Sequence, residues 1–147
     1  MIFSIVLPRT PKSVQADSKK KYQYQKAISD AATAKYAKAP VSNDRLYIRI
    51  IWFARKDVGL DVDNIIKPIA DALQGVVYRN DRQLAQCFSM RIDLEKTYRI
   101  SNDNISIERY QEVIDTIDAR RSDALYIEVG TLTSQEAIFG PIDGGAI

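Results

Sequence analysis

The stretch RLYIRIIWFA, residues 45–54, decides the fold because it predicts a strand that is covered on both faces. Four large apolar residues alternate along one face: Leu46, Ile48, Ile50 and Trp52. The other face carries Tyr47, Arg49, Ile51 and Phe53. A period of two is typical of a strand, and apolar residues on both sides indicate that other elements pack against both faces.

Three more strands are predicted around this one. Residues 2–7 (IFSIVL) form a short apolar run before Pro8, and residues 124–129 (ALYIEV) alternate. Residues 84–94 (LAQCFSMRIDL) alternate between an inward and an outward set. The inward set is Leu84, Phe88, Met90, Ile92 and Leu94, and the outward set is Ser89, Arg91 and Asp93. We expect this last strand to have one wet face.

Helices are predicted for three segments whose apolar residues recur at helical spacing. These residues are Tyr24, Ala27, Ile28 and Ala31 in residues 16–38; Ile65, Ile66, Ile69, Ala72 and Leu73 in residues 64–74; and Ile107, Tyr110, Val113, Ile114 and Ile117 in residues 104–119. Pro40 is expected to stop the first helix, and Gly75 to end the second in a left-handed conformation. After Gly75, residues 76–78 are expected to be extended.

The fold class that follows is α/β or α+β, with a mixed β-sheet, helices packed on it and the order β-α-β-α-β-α-β. A chain of 147 residues with 46% hydrophobic composition is long enough for one ordinary domain with a buried core. We assign residues 1–132 to that domain. Residues 133–147 are glycine-rich towards their end and are expected to form a loosely ordered tail.

Composition excludes several kinds of chemistry. The chain has no histidine, and Cys87 is its one cysteine, so an internal disulfide, a thiolate or imidazole zinc site and a histidine-based triad are all excluded. No basic segment precedes the opening apolar residues, and no apolar run approaches the roughly 20 residues of a membrane span. We therefore expect a soluble, cytoplasmic protein that does not bind a membrane.

Charge is divided unevenly along the chain. Residues 1–60 hold 12 basic and 4 acidic residues, whereas residues 61–147 hold 9 basic and 15 acidic residues. A cationic half is typical of proteins that bind polyanions such as DNA, because neutralised phosphates release counterions. Lysines on a solvated helix face would give the same composition, so the charge is suggestive and not diagnostic.

Acidic residues crowd the segment LDVDNIIK, residues 60–67, and recur at Asp81. The eleven residues 64–74 advance about 16 Å as a helix, and the six residues 76–81 cover roughly 20 Å if extended. A reversal at Gly75 would then return Asp81 to the level of Asp61 and Asp63. Three such carboxylates repel one another unless a cation lies between them, and oxygen ligands suit Mg²⁺ or Mn²⁺.

A purely structural interpretation competes with this one. Asp63 would be a helix N-cap, Asp61 a favourable charge near a helix start, and Asp63, Lys67 and Asp71 a ladder of ion pairs. Asp81 would be a turn residue. Spacing alone favours this interpretation, because two aspartates separated by one residue are common by chance.

The two acidic segments taken together favour the metal-site interpretation over the structural one. Residues 61–73 read D-V-D-N-I-I-K-P-I-A-D-A-L and are followed by Gly75 and by N-D-R-Q-L at residues 80–84, which resembles the RusA family of Holliday junction resolvases. The specific match covers about 25 residues, and the segment P-R-T-P-K at residues 8–12 is similar as well. Asn80 departs from the two adjacent aspartates that are usual at the second turn, and residues 99–122 are longer than a minimal member needs.

The resemblance implies a Mg²⁺-dependent endodeoxyribonuclease that resolves four-way DNA junctions in recombination and repair, with Mn²⁺ as an alternative ion. It implies catalytic roles for Asp61, Asp63, Asp81 and Lys67, in which the three aspartates bind metal and Lys67 contacts the phosphate. Supporting roles near the metal fall to Asn64, Asp71 and Asn80. The candidate DNA-backbone contacts are Lys12, Lys19, Lys20, Lys21 and Lys26. The resemblance also implies a homodimer, and a two-fold symmetric dimer suits symmetric nicking of a four-way junction.

Two other functions remain compatible with the sequence. One is a non-catalytic protein that binds branched DNA and whose acidic residues are structural. The other is a metal-dependent hydrolase of a small phosphate ester, which would show little salt dependence, whereas contacts to several DNA phosphates weaken steeply with salt.

Overall fold

A four-stranded mixed sheet forms the centre of the computed structural model, which describes residues 1–101, 103–135 and 137. The strands are β1 (Phe3–Leu7), β2 (Leu46–Ala54), β3 (Leu84–Asp93) and β4 (Ala124–Thr131), in the spatial order β1-β4-β2-β3. β2 and β3 are parallel, and β4 is antiparallel to both β1 and β2. The predicted fold class, a mixed sheet with helices packed on it, is confirmed.

In the described residues, three α-helices connect the strands: α1 (Ser18–Lys35), α2 (Ile66–Leu73) and α3 (Ile107–Asp118). Short 3₁₀ helices lie at Val62–Ile65 and Asp81–Gln83. The Asp17 side chain caps α1 by accepting hydrogen bonds from the amides of Lys19 at 3.0 Å and Lys20 at 3.2 Å. α1 is shorter than predicted, because it ends at Lys35, well before Pro40. Within the described residues, no helix is long and apolar enough to cross a membrane.

The two faces of the sheet are covered by different helices. α1 and α2 pack on the face that carries Trp52, and together they bury Ile28, Ile69 and Leu73 completely. α3 covers part of the opposite face, where Val113 and Ile117 pack near Phe53. The first face is therefore buried on β2 and β4, whereas Cys87 of β3, which lies beside Ile48, is exposed. The second face is closed only where α3 lies.

Strand β3 differs from its prediction in one important respect. Alternation places Phe88 and Met90 in the inward set, but these side chains are 44% and 39% exposed. β3 lies at the edge of the sheet, and the residues 85–88 are all exposed. Alternation predicts which residues share a face and not whether another element covers that face, so the inward assignment is wrong for these two residues.

Two other predictions also need correction. Helical spacing places Ile107 on the buried stripe of α3, but it is the first residue of that helix and is 85% exposed. The predicted tail, residues 133–147, lies largely outside the described residues, so its looseness stays a prediction.

Candidate active site at the start of α2

The loop after β2 delivers Asp61 and Asp63 to the turn that begins α2. Ile65, in the same turn, is fully buried and anchors it in the core. The hydroxyl of Ser89, in the middle of β3, donates a hydrogen bond of 2.7 Å to the carbonyl of Val62. The backbone between the two aspartates is thus tied to the sheet, and a site on a rigid element is held more accurately than one on a loop.

The carboxylates of Asp61 and Asp63 have no hydrogen-bond or ion-pair partner among the residues that the structure describes. Both residues are exposed. Asp61 occupies the N-cap position of the 3₁₀ helix, but its side chain makes no capping hydrogen bond. The capping role that the structural interpretation gives to this segment is therefore not seen, and these oxygens are available to a cation.

Lys67 and Asp71 form the ion pair that the structural interpretation predicts. Their atoms Nζ and Oδ1 are 3.1 Å apart across one turn of α2, and 67% of the Lys67 side chain is exposed. An exposed pair of this kind contributes roughly 0–1 kcal/mol, so the ammonium can exchange Asp71 for a phosphate at small cost. No ion pair between Asp63 and Lys67 is found in the described part of the chain.

Asn64 and Asn80 contribute to the backbone of their turns. The carbonyl of Asn64 accepts a hydrogen bond of 3.1 Å from the amide of Val14, which ties the loop before α1 to the site. The Asn80 side chain accepts from the amide of Arg82 at 2.9 Å, while the Asn80 amide donates to the Gln83 side chain at 3.0 Å. This reciprocal capping box gives Asn80 a structural role, and the spacing of Asn80 and Gln83 in the sequence is typical of it.

Asp81 lies at the other end of α2. Its amide donates a hydrogen bond of 3.2 Å to the side-chain oxygen of Gln74, the residue that ends α2. Burial raises the pKa of the Tyr78 hydroxyl above its usual value, and the charges of Asp81 and Asp71 raise that pKa further, so both carboxylates are near this ring. The Tyr78 hydroxyl itself donates to the carbonyl of Ala70 at 2.6 Å.

The predicted return of Asp81 to Asp61 and Asp63 within one chain is wrong. Gly75 does adopt the left-handed conformation, with φ of 84°. Residues 76–77, however, form a turn and not an extended segment, because the amides of Val76 and Val77 both donate to the carbonyl of Leu73. The chain therefore stays at the C-terminal end of α2 and does not run back along the helix.

The strand geometry indicates that the two acidic segments lie apart. Val62 is held by Ser89, whereas Asp81 precedes Leu84, the first residue of β3. The five steps from Leu84 to Ser89 correspond to about 16 Å of strand. In agreement, the described residues contain no group of three acidic or cysteine side chains close enough to hold a metal ion.

The candidate DNA-binding lysines lie at the start of α1 and in the loop before it. Lys19 and Lys20 are exposed, and Lys12 is half-buried. The ammonium of Lys21 donates to the carbonyl of Val14 at 3.2 Å, and that of Lys26 pairs with Asp30 at 2.9 Å. Since Val14 also contacts the turn of Asn64, this basic segment adjoins the acidic one.

Sequence reasoning misses two positioning residues. Ser89 is predicted only to lie on the wet face of β3, and Gln74 has no predicted role, yet each connects an acidic segment to another element. Their partners are 27 and 7 positions away in the chain, and no local pattern in the sequence marks such a pairing.

A mixed α/β fold with two exposed carboxylates at a helix start and a lysine one turn later is compatible with a phosphate-processing protein. The family comparison makes this specific: the family model for endodeoxyribonuclease RusA matches residues 8–108, and the chain belongs to this family. Membership places it among the endodeoxyribonucleases that resolve Holliday junctions in DNA recombination. No curated protein matches the chain significantly.

Proposed function

We propose that the protein is a Mg²⁺-dependent endodeoxyribonuclease that acts as a homodimer and cleaves four-way DNA junctions by phosphodiester hydrolysis in recombination and repair. The observation that carries the proposal is the pair of exposed carboxylates, Asp61 and Asp63, without partners in the described residues, on a turn fixed to the sheet by Ser89. We also propose a cytoplasmic location, because the substrate is DNA.

The chemistry of these donors fits a hard divalent cation. Carboxylate oxygens in an open, exposed position leave room for water and phosphate ligands, as Mg²⁺ and Mn²⁺ require. When bound, the cation supplies an activated water and neutralises charge on the scissile phosphate. Asp61 and Asp63 would bind the cation, and Lys67 would donate to a phosphate oxygen after release from Asp71. Asn64 would support this arrangement by holding the turn.

A second copy of the chain would complete the donor set. The exposed edge of β3 has unpaired backbone groups, which favour pairing with another strand. Antiparallel pairing of two β3 strands about a two-fold axis places the start of one strand beside the end of the other. The partner's Asp81 would then approach Ser89 and, with it, Asp61 and Asp63. In this proposal the metal site is therefore complete only in the homodimer.

The basic segment before and within α1 would contact the DNA backbone. We assign Lys12, Lys19, Lys20, Lys21 and Lys26 to this surface because they lie in the first half of α1 or in the loop before it, and that loop contacts the acidic turn through Val14. Contacts to several phosphates release counterions, so junction affinity should fall steeply with salt. A hydrolase of small phosphate esters would not show this dependence.

The test is cleavage of a synthetic four-way junction, with a linear duplex of the same sequence as the control. Paired nicks in the junction that require Mg²⁺, together with an intact duplex, are the expected result. Binding of the junction without cleavage, in Mg²⁺ and in Mn²⁺ alike, would contradict the proposal and would favour a non-catalytic protein that binds branched DNA. Cleavage of both substrates would contradict the selectivity for junctions.

A further inference from the structure

A cavity lies on the sheet face that α3 covers only in part. It has a volume of about 230 Å³, is partly open to solvent and lies between β2, β4, α3 and the segment before α3. Its lining is mainly apolar and aromatic, with Ile51, Phe53, Ile105, Tyr110 and Val113 as its walls. Two charged side chains of the sheet, Arg49 and Glu128, also line it.

Glu128 is an unusual component of this apolar face because it is charged and only 5% exposed. Its two carboxylate oxygens each accept a hydrogen bond of 2.5 Å, from the hydroxyls of Tyr47 and Tyr126. Gly130 makes room for the Tyr47 ring, since a Cβ at that position would overlap the ring. The orientation of the buried carboxylate is therefore fixed by three other residues.

Arg49 is the direct cross-strand neighbour of Glu128 in the β2–β4 register, yet these opposite charges do not form an ion pair. The guanidinium lies 5.5 Å from the centre of the Phe88 ring and 5.9 Å from that of Tyr47. Within the described residues it has no carboxylate partner. A carboxylate oxygen accepts more than one hydrogen bond, so Glu128 retains acceptor capacity and Arg49 retains donors, side by side at the cavity.

We propose that this cavity binds a guanine base. The flat ring would occupy the apolar cavity, its N1–H and N2–H groups would donate to Glu128, and its O6 would accept from Arg49. Adenine presents the reverse pattern, with an acceptor at N1 opposite the Glu128 acceptor and a donor at N6 opposite the Arg49 donor, so neither hydrogen bond would form. The volume lies below the roughly 300–1,000 Å³ of sites for drug-sized molecules, which suits a single base and not a whole nucleotide.

The proposed base site is separate from the candidate active site. Phe88, beside Arg49, and Ser89, beside Val62, are consecutive residues of β3 and therefore point to opposite faces of the sheet. The proposal does not depend on metal binding or on cleavage, and its failure would leave the function of Asp61 and Asp63 untouched. The base can come from a free nucleoside or from an unpaired guanine in a DNA strand.

Isothermal titration calorimetry with guanosine, inosine and adenosine tests the recognition. We expect guanosine to bind at least about tenfold more tightly than adenosine, because a matched pair of hydrogen bonds discriminates by roughly that factor or more. Inosine, which lacks the 2-amino group, should be intermediate. Equal affinity for guanosine and adenosine, or no binding of any of the three nucleosides and of the oligonucleotides below, would overturn the proposal.

Substitutions test whether Glu128 and Arg49 bind the base. Glu128→Gln and Arg49→Met should each weaken binding at least about tenfold, whereas the matched variants Glu95→Gln and Arg45→Met, at exposed positions, should bind as the parent does. Thermal melting checks that each variant is folded. If Glu128→Gln does not fold, Arg49→Met decides, because Arg49 is only half-buried. Unchanged affinity in a folded Arg49→Met variant would refute the assignment.

Oligonucleotides distinguish the source of the base. A thymine oligonucleotide with one central guanine is compared with the all-thymine strand in both the parent and Arg49→Met. A preference for the guanine strand that disappears in Arg49→Met assigns the site to an unpaired base of DNA. Binding of guanosine without such a preference assigns it to a free nucleoside.

Discussion

The two acidic segments of this chain have similar composition but opposite construction. In the segment around Asp61 and Asp63, the backbone is anchored by Ile65 and Ser89, and the carboxylates make no hydrogen bond or ion pair among the described residues. In the segment around Asp81, polar side chains hold the turn instead: Asn80 and Gln83 form a capping box, and Gln74 binds the Asp81 amide. The first segment leaves two carboxylates exposed at the start of α2, and the second holds Asp81 near the C-terminal end of that helix.

The largest expected effect on cleavage comes from removing a carboxylate of the first segment. A bound cation contributes several kcal/mol to catalysis, so Asp63→Asn should lower junction cleavage by on the order of 10³-fold or more. Binding of the junction should be unchanged or tighter, because one negative charge near the phosphates is removed. Single-turnover cleavage and gel-shift titration measure the two effects. Asp44→Asn, at an exposed position outside both segments, is the matched control.

Cleavage by Asp63→Asn at the parent rate would refute the ligand assignment. The same measurement on Asp61→Asn tests whether both carboxylates are needed.

Lys67→Ala should have the next largest effect. Removal of one donor to a developing charge lowers turnover by about 10²–10³-fold, with a smaller loss of binding. Lys96→Ala, which removes another exposed lysine that is ion-paired to an aspartate, is the control and should change neither quantity much. An equal loss of turnover and binding in Lys67→Ala would assign the lysine to simple DNA anchoring.

A third experiment asks whether the two segments act across a dimer. Asp63→Asn and Asp81→Asn chains are each expected to be inactive, but coexpressed chains would form mixed dimers in which one site has both segments intact. With random pairing, about a quarter of the parental activity should return. If all three aspartates acted within one chain, every site would remain defective and no activity would return.

The strands of the sheet are largely predictable from the sequence because each strand is marked by the alternation of its own residues. Alternation in residues 45–54 indicates the central strand, and Leu46, Ile48, Ile50 and Trp52 are all fully buried as expected. The exposure of Phe88 is not predictable in the same way. Whether a strand is an edge depends on sheet order, which is a property of distant segments and not of the strand itself.

The residues of the candidate site stay a prediction, and the predicted path of the chain between them is wrong. The resemblance points to Asp61, Asp63 and Asp81, whereas the expected path of the chain after Gly75 is an extended segment. The hydrogen bonds of Val76 and Val77 to Leu73 close a tight turn there instead. A glycine predicts that the chain changes direction, but the following apolar residues fit both a strand and a buried turn.

The smallest expected effect is that of Asn80 variants on stability. Their measurement distinguishes a structural role of Asn80 from a role near the metal. Loss of its cap in Asn80→Ala should cost about 0.5–2 kcal/mol, or roughly 2–6 °C in Tm. Asn80→Ser keeps a side-chain acceptor and should recover most of that loss, as thermal melting would show. If Asn80 instead supports a metal ligand, both variants should weaken Mg²⁺ activation by about 10–100-fold at unchanged stability. A magnesium titration of cleavage, measured beside the melting curves, distinguishes these outcomes, because a cap acts through folding and a metal-supporting residue through the ion.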